Sequence, residues 1–166
     1  QSICASGPTN RRPERSVPRL LALASTLALG GGERVLASLL LALHEAGDDV
    51  HLCFLKTPGS VGGELLAAGL PATIAGLERT RSPRALTVLL RLLRRQQPDL
   101  LYIQDHHDCL FWGRLAAALT GFLPALSPVH SSAQGRLRAF RPYNRLLLGL
   151  SPHLATLGPW QEQALI

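Results

Sequence analysis

From Leu20 onward, short apolar runs alternate with longer stretches in which apolar residues recur every three to four positions. Leu20–Ser25 is a run of the right length for a buried strand. Gly30, Gly31 and Gly32 then open a helical pattern to about Ala46, with Val35, Leu36, Leu39, Leu40 and Leu43 at helical spacing and Gly47 as its stop. Val50–Leu55 predicts the next strand and Thr57–Gly63 a loop carrying Gly59, Gly62 and Gly63. Glu64–Ala68 predicts a short helix closed by Gly69, and Ala72–Ala75 a short strand. A longer helix is expected from about Arg84 to Gln97, with Leu86, Leu89, Leu90 and Leu93 on one face and Arg84, Arg91, Arg94 and Arg95 mainly on the other. Pro98-Asp99 breaks it before a strand at Leu100–Gln104. A helix from about Asp108 to Thr120, with Gly121 as its stop, is followed by a strand at Ala125–Val129. A helix at Arg141–Gly149, a strand at His153–Leu157 and a further helix opening at Pro159 complete the pattern. Strands alternating with helices predict βαβ units. The expected fold is α/β, a doubly wound, Rossmann-like and mostly parallel sheet of about six strands with helices on both faces.

The length of 166 residues fits one domain. With 46% hydrophobic and 17% charged residues the chain is too apolar to be intrinsically disordered. Among its aliphatics, 36 Leu and 20 Ala against 6 Val and 4 Ile favour helices over a small sheet rather than an all-β fold. Residues 1–18 hold Gly7, Pro8, Pro13 and Pro18 without an apolar period. They are expected to be a flexible leader or tail outside the domain of residues 19–166. The absence of Met, position 1 included, suggests a trimmed or internal piece of a gene product. Cys4, Cys53 and Cys109 are an odd set without metal-ligand spacing, which fits a reducing cytoplasm. No run approaches the roughly 18 apolar residues of a spanning helix. Leu20–Leu29, preceded by Arg11, Arg12, Arg15 and Arg19, imitates a signal peptide, yet its continuation into Gly30–Ala46 reads better as a strand feeding a helix.

The net charge of +6 is uneven. Residues 1–78 hold six basic and seven acidic groups, and residues 79–166 hold eleven and four. Only Lys56 is a lysine, so the positive surface is guanidinium, suited to bidentate contact with phosphate or carboxylate. Arg136, Arg138, Arg141 and Arg145 follow one another with no acid between Asp108 and Glu162, a candidate patch for an anionic partner such as a membrane surface. An ordinary solvated basic loop is the plainer reading of the same run. Nucleic acid is not expected, because only Phe140 and Tyr143 offer stacking there and no known nucleic-acid module is present.

In doubly wound sheets, ligands bind outside the carboxyl ends of the strands, near the point where the strand order reverses. Three strand-to-helix junctions are therefore candidates. At Gly30-Gly31-Gly32-Glu33, glycines at a helix N-terminus let backbone N–H groups approach an anion. Val35 stands where a dinucleotide fingerprint needs its last glycine, and no Gly-Lys-Ser/Thr follows, so an NAD(P) enzyme and a P-loop are both disfavoured. At Gln104-Asp105-His106-His107-Asp108, adjacent imidazoles and carboxylates raise a metal site, but neighbouring side chains rarely converge on one ion. A polar loop lining a cleft, hydrogen-bonding a hydroxylated ligand, is the better reading. At Val129-His130-Ser131-Ser132, a histidine just past a strand is placed for acid–base or hydrogen-bonding work, and no nucleophile-elbow motif surrounds it.

Six segments in order resemble the amino-terminal half of a group 1 (family 4) glycosyltransferase of the GT-B type. Leu29-Gly30-Gly31-Gly32-Glu33-Arg34-Val35-Leu36 resembles that family's Gly-Gly-x-Glu helix opening, and His44–Val50 its Gly-x-x-Val approach to the second strand. Gly63–Pro71 is similar to its Glu-Leu-x-x-x-Gly-Ile segment and Gln97–Leu101 to its Pro-Asp-Val-Val strand. Gly113–Gly121 and Val129-His130-Ser131 continue the match, which spans about residues 20–160.

The resemblance implies retaining transfer of a sugar from a nucleotide-sugar donor to a glycan or lipid-linked acceptor, in envelope polysaccharide or glycolipid synthesis. Such enzymes work in the bacterial cytoplasm or peripherally on the inner face of its membrane. By this likeness Gly30, Gly31 and Gly32 would meet the donor phosphates, Glu33, Asp105 and His106 the acceptor, and His130 the reaction centre. No metal or other cofactor is expected. The family often has histidines in the strand matching Leu100–Gln104, where this chain has Tyr102 and Gln104. Its nucleotide-binding Glu-x7-Glu pair, which lies in a carboxy-terminal donor domain, has no counterpart here. The chain alone is therefore expected to be inactive, with that domain as its missing partner. The competing expectation is a non-catalytic Rossmann-like module that docks a partner or an anionic membrane through its arginines.

Overall fold

The computed structural model describes residues 17–104, 107–121, 123–129 and 153–156. In chain order the elements are β1 (Arg19–Ala24), α1 (Gly31–Glu45), β2 (Asp49–Phe54), α2 (Gly59–Ala67), β3 (Ala72–Ile74), α3 (Pro83–Gln96), β4 (Leu100–Ile103), α4 (His107–Leu119), β5 (Ala125–Val129) and β6 (His153–Thr156). The strands form one sheet in the order β3-β2-β1-β4-β5-β6, with every pairing parallel. The expected doubly wound α/β sheet of about six strands is therefore present, and its order reverses between β1 and β4.

Both faces of β1 are covered, which explains its unbroken apolar sequence. Leu21 and Leu23 join Cys53, Leu101, Ile103 and Ala125 in one core with α3 and α4. Ala22 and Ala24 face the other way, with Leu52, Phe54 and Tyr102, against α1 and α2. The close approach of α4 to the sheet depends on Gly113. A Cβ there would fall 2.9 Å from Ile103 Cδ1 and 3.0 Å from Leu23 Cδ2. The buried Cys53 and Cys109 are free thiols, and burial pushes the Cys53 thiol up to about 12.

Arg19 ties the amino ends of the strands. Its Nε lies 2.5 Å from Asp49 Oδ2 on β2, and its guanidinium also donates to the Gln96 carbonyl at the end of α3. The main-chain N–H of Arg19 donates to the Asp99 carboxylate at 2.9 Å, while the Asp99 N–H returns a bond of 2.9 Å to the Arg19 carbonyl. One residue thus fixes the register of β1 against both of its neighbours.

The helices end and begin largely where their capping residues predict. Gly47, Gly69 and Gly121 follow α1, α2 and α4 in left-handed backbone. Ser82 caps α3, its Oγ accepting from the Arg84 N–H at 3.3 Å, with Pro83 in the first turn. The segment Thr57–Gly63 differs from expectation. It is not a loop throughout, because α2 begins at Gly59 rather than at Glu64. The Leu27 carbonyl accepts from the Val61 N–H at 3.1 Å and the Gly62 N–H at 3.4 Å, satisfying first-turn donors that no local side chain caps. The helix predicted at Arg141–Gly149 and the one opening at Pro159 lie outside the described residues.

His51 on β2 places Nε2 2.8 Å from the Thr73 hydroxyl. Burial lowers its pKa below the ordinary 6.5, the Asp49 carboxylate opposes that, and Arg19 adds to it. The folded chain therefore favours neutral imidazole, and the unfolded chain binds the proton more readily. The stability contributed by His51 is fully present above pH 6.5 and is lost as pH falls through the lowered folded value. In denaturant titrations at about pH 7.5 and about pH 5, His51→Gln should lose less stability on acidification than wild type; an equal loss would remove His51 as a cause.

Candidate functional site

The carboxyl ends of β1 and β4 meet at the reversal point, and the segment leaving β1 is held by main-chain bonds. The Leu55 N–H donates to the Ala24 carbonyl at 2.9 Å and the Lys56 N–H to the Ser25 carbonyl at 3.0 Å, extending the β1–β2 pairing beyond the strands. The Leu27 N–H then donates to the Pro58 carbonyl at 3.0 Å, so both main-chain groups of Leu27 are engaged with the start of α2. Gly59 lets this contact close. Its φ is +73°, and a Cβ would lie 2.4 Å from the Leu27 carbonyl oxygen. The buried side chain of Leu27 anchors the turn in the α1–α2 core. The glycine turn into α1 thus starts from a fixed base.

Gly30 is the N-cap of α1 in extended backbone, with φ −168° and ψ 158°, and no side chain caps the helix. Gly31 is exposed and opens onto free space, and Gly32 is partly exposed beside it. Backbone N–H groups at such an end, with the helix dipole, favour an anion. The structure adds Glu33, one turn in. A Cβ on Gly30 would fall 2.2 Å from Glu33 Oε2, so the carboxylate folds back over the cap. The end that would attract a phosphate already carries an acid. A second anion at Gly30–Gly32 requires that carboxylate to swing aside.

Across the reversal point, Gln104 follows β4, and its N–H donates to the Leu23 carbonyl at 2.9 Å. Its side chain is 3% exposed, and Oε1 has no hydrogen-bond partner among the described residues. An unmatched buried acceptor costs about 1–3 kcal/mol. Tyr102, two residues earlier, is buried on the α1 side, and burial pushes its phenol up to about 12. Neither residue offers the imidazole the resembling family often carries there. No signal in the sequence marked the Gln104 side chain as buried and unmatched. Asp105, His106, His130, Arg136, Arg138, Arg141 and Arg145 lie outside the described residues. Of the predicted site, the structure therefore brings together Gly30, Gly31, Gly32 and Glu33.

A second concavity lies at the carboxyl end of β3, away from the reversal point. It is a groove of about 660 Å³ between the segment after β3 and the outer side of α3, with Arg79, Arg84 and Arg91 along its walls. The sequence placed Arg84 and Arg91 on the outer face of a helix but showed no sign of Arg79 beside them; the hollow they border lies between residues 75–82 and α3.

The glycosyltransferase family 4 model matches residues 29–157. Among solved structures, the chain is similar to a glycosyltransferase from Rickettsia africae, with a TM-score of 0.65 and 11% identity over 91% of this chain and 39% of that one. It is also similar to MurG from Acinetobacter baumannii, with a TM-score of 0.56 and 20% identity over 86% and 41%. The UDP-GlcNAc 2-epimerase from Neisseria meningitidis, solved bound to UDP-GlcNAc, gives a TM-score of 0.59 and 17% identity over 82% and 40%. At these identities the likeness is one of fold, and the chain spans about two fifths of each structure. None of the curated proteins matches the sequence.

The contrast between two glycines tests the site's construction. Gly59→Ala should cost about 2–4 kcal/mol in urea unfolding, because the left-handed backbone and the Leu27 carbonyl both oppose a side chain. Gly30→Ala should cost less than about 1 kcal/mol, since its backbone suits alanine and only the mobile end of Glu33 must move. Equal costs would contradict the fixed turn.

Proposed function

The chain belongs to glycosyltransferase family 4, and from that membership we propose that it forms the acceptor-side domain of an enzyme moving a sugar from a nucleotide-sugar donor to a glycan or lipid-linked acceptor. The observation that carries this reading is the glycine turn at the reversal point of the sheet. It is fixed from below by Leu27 and open above Gly31, at the place where ligands meet doubly wound sheets. A carboxy-terminal donor domain completes the cleft over this edge. The neighbour solved with UDP-GlcNAc supports a nucleotide-sugar donor.

In the reaction, the bond between the anomeric carbon and the donor phosphate breaks, and the nucleoside diphosphate leaves with the electron pair. The acceptor hydroxyl oxygen forms the new bond to that carbon, and its proton passes to the departing diphosphate. Backbone N–H groups at Gly30–Gly32 meet the diphosphate once Glu33 has swung aside. The carboxylate of Glu33, with Asp105 and His106, then accepts hydrogen bonds from acceptor hydroxyls. His130 stands at the reaction centre, and transfer proceeds without a metal ion. The acceptors belong to envelope polysaccharide or glycolipid synthesis in bacteria, at the cytoplasmic face of the membrane, with Arg136, Arg138, Arg141 and Arg145 toward the anionic surface. No helix among the described residues is long and apolar enough to cross a membrane.

In the full-length protein, His130→Ala should lower sugar transfer by about a hundredfold or more while thermal unfolding stays unchanged. Turnover at the wild-type rate would remove His130 from the mechanism.

A further inference from the structure

The outer side of α3 holds positive charge that neither the core nor the reversal point uses. Arg84, Arg91 and Arg95 recur at helical spacing, with Arg94 beside them, so the row runs about 16 Å along the helix. Arg79 extends it onto the segment after β3. These five side chains are all exposed, and none forms an ion pair among the described residues. The groove of about 660 Å³ at the start of α3 has Leu77 and Val88 among its lining and Glu78 as its one acid. A second hollow of about 490 Å³ continues along the helix between Thr87 and Arg95, and Arg91 borders both. The two hollows therefore form one cationic track.

The track is built before any ligand arrives. Trp112 on α4 donates from Nε1 to the Thr80 carbonyl at 2.6 Å, and Thr80 is buried, which pins the segment carrying Arg79. The apolar face of α3 is spent on the core through Ala85, Leu89, Leu92 and Leu93. Five guanidinium groups gathered around a single carboxylate, Glu78, repel one another, and that repulsion is relieved by a partner bearing a row of anions.

We propose that the groove and the Arg79–Arg95 face form a docking track for a linear, carboxylate-bearing glycan, the acceptor chain on which the transferase acts. The proposal rests on the acceptor-side reading and names its substrate class. The track begins at the carboxyl edge of the sheet, the edge that also carries the reversal point, and descends along α3, so a growing chain would run from that edge along the helix. Guanidinium forks match carboxylates bidentately. A membrane surface is a poorer occupant: the hollows are concave, and no large apolar side chain in 79–95 is exposed for insertion. Nucleic acid would want stacking rings, and none lines either hollow.

The test is calorimetric binding of hexagalacturonate, maltohexaose and phosphatidylglycerol vesicles to the full-length protein, across salt. Hexagalacturonate should bind and weaken as salt rises, and uncharged maltohexaose should bind at least tenfold more weakly. Arg84→Gln with Arg91→Gln should weaken hexagalacturonate about tenfold or more, with thermal unfolding unchanged. Ser38→Glu with Ala42→Glu alters net charge by the same amount at exposed positions of α1, across the sheet from the track, and should stay within about twofold of wild type. The proposal is overturned if the paired arginine variant binds like wild type, if the Ser38→Glu, Ala42→Glu variant weakens binding equally, or if vesicles bind and hexagalacturonate does not. Binding needs no turnover. Intact sugar transfer without hexagalacturonate binding would therefore sink the track alone, whereas binding without transfer would sink the transferase reading.

Discussion

Both main-chain groups of Leu27 are committed to the start of α2: its N–H to the Pro58 carbonyl, its carbonyl to the N–H groups of Val61 and Gly62. That stitch joins the segment leaving β1 to the one leaving β2, and it gives α2 the cap its own sequence lacks. Gly59 permits the approach, and the buried Leu27 side chain carries it into the core. Because β1 is flanked by β2 and β4, a shift at this stitch would move the whole reversal point. The glycine turn of α1 keeps its place over that point because the stitch holds the chain immediately before it.

Electrostatics then separates two surfaces on one domain. At the reversal point the positive end of α1 is covered by the Glu33 carboxylate, so any anion meeting the cap competes with a protein acid for one place. On the outer side of α3, arginines line a groove with a single acid beside them. In the proposed reading, a domain that meets a donor phosphate at its centre and an anionic chain at its flank keeps the two attractions apart. There Glu33 would discourage the wrong anion at the cap, and the arginines would give that chain its own track. This division of charge is what the family membership alone does not supply.

The alternation of strands and helices was legible because parallel strands buried on both faces read as apolar runs, as in Leu21–Ala24, and because Gly47, Gly69 and Gly121 mark helix ends. The start of α2 was not legible. Pro58-Gly59 carries turn signals, and the group that makes it a helix start is the carbonyl of Leu27, far back in the chain. The same holds for Arg19, whose partners Asp49, Gln96 and Asp99 come together through the sheet order. Gly30–Glu33 could be named from its residue types, but not the fold of Glu33 back over Gly30. The arginines of α3 could be placed on a solvent face by periodicity, yet the hollow beside them depends on the Trp112–Thr80 bond. The buried amide of Gln104 had no signal at all.

The central claim is that the turn held by Leu27 presents Gly30–Glu33 to a nucleotide-sugar. Hydrogen exchange of the full-length protein, measured with and without a bound nucleotide-sugar, tests it most directly. Exchange at the amides of Gly31, Gly32 and Glu33 should slow when the donor is bound, with Val61 and Gly62 protected in both states. Unchanged exchange at Gly31–Glu33 in the bound protein, or rapid exchange at Val61 and Gly62 in either state, would contradict it.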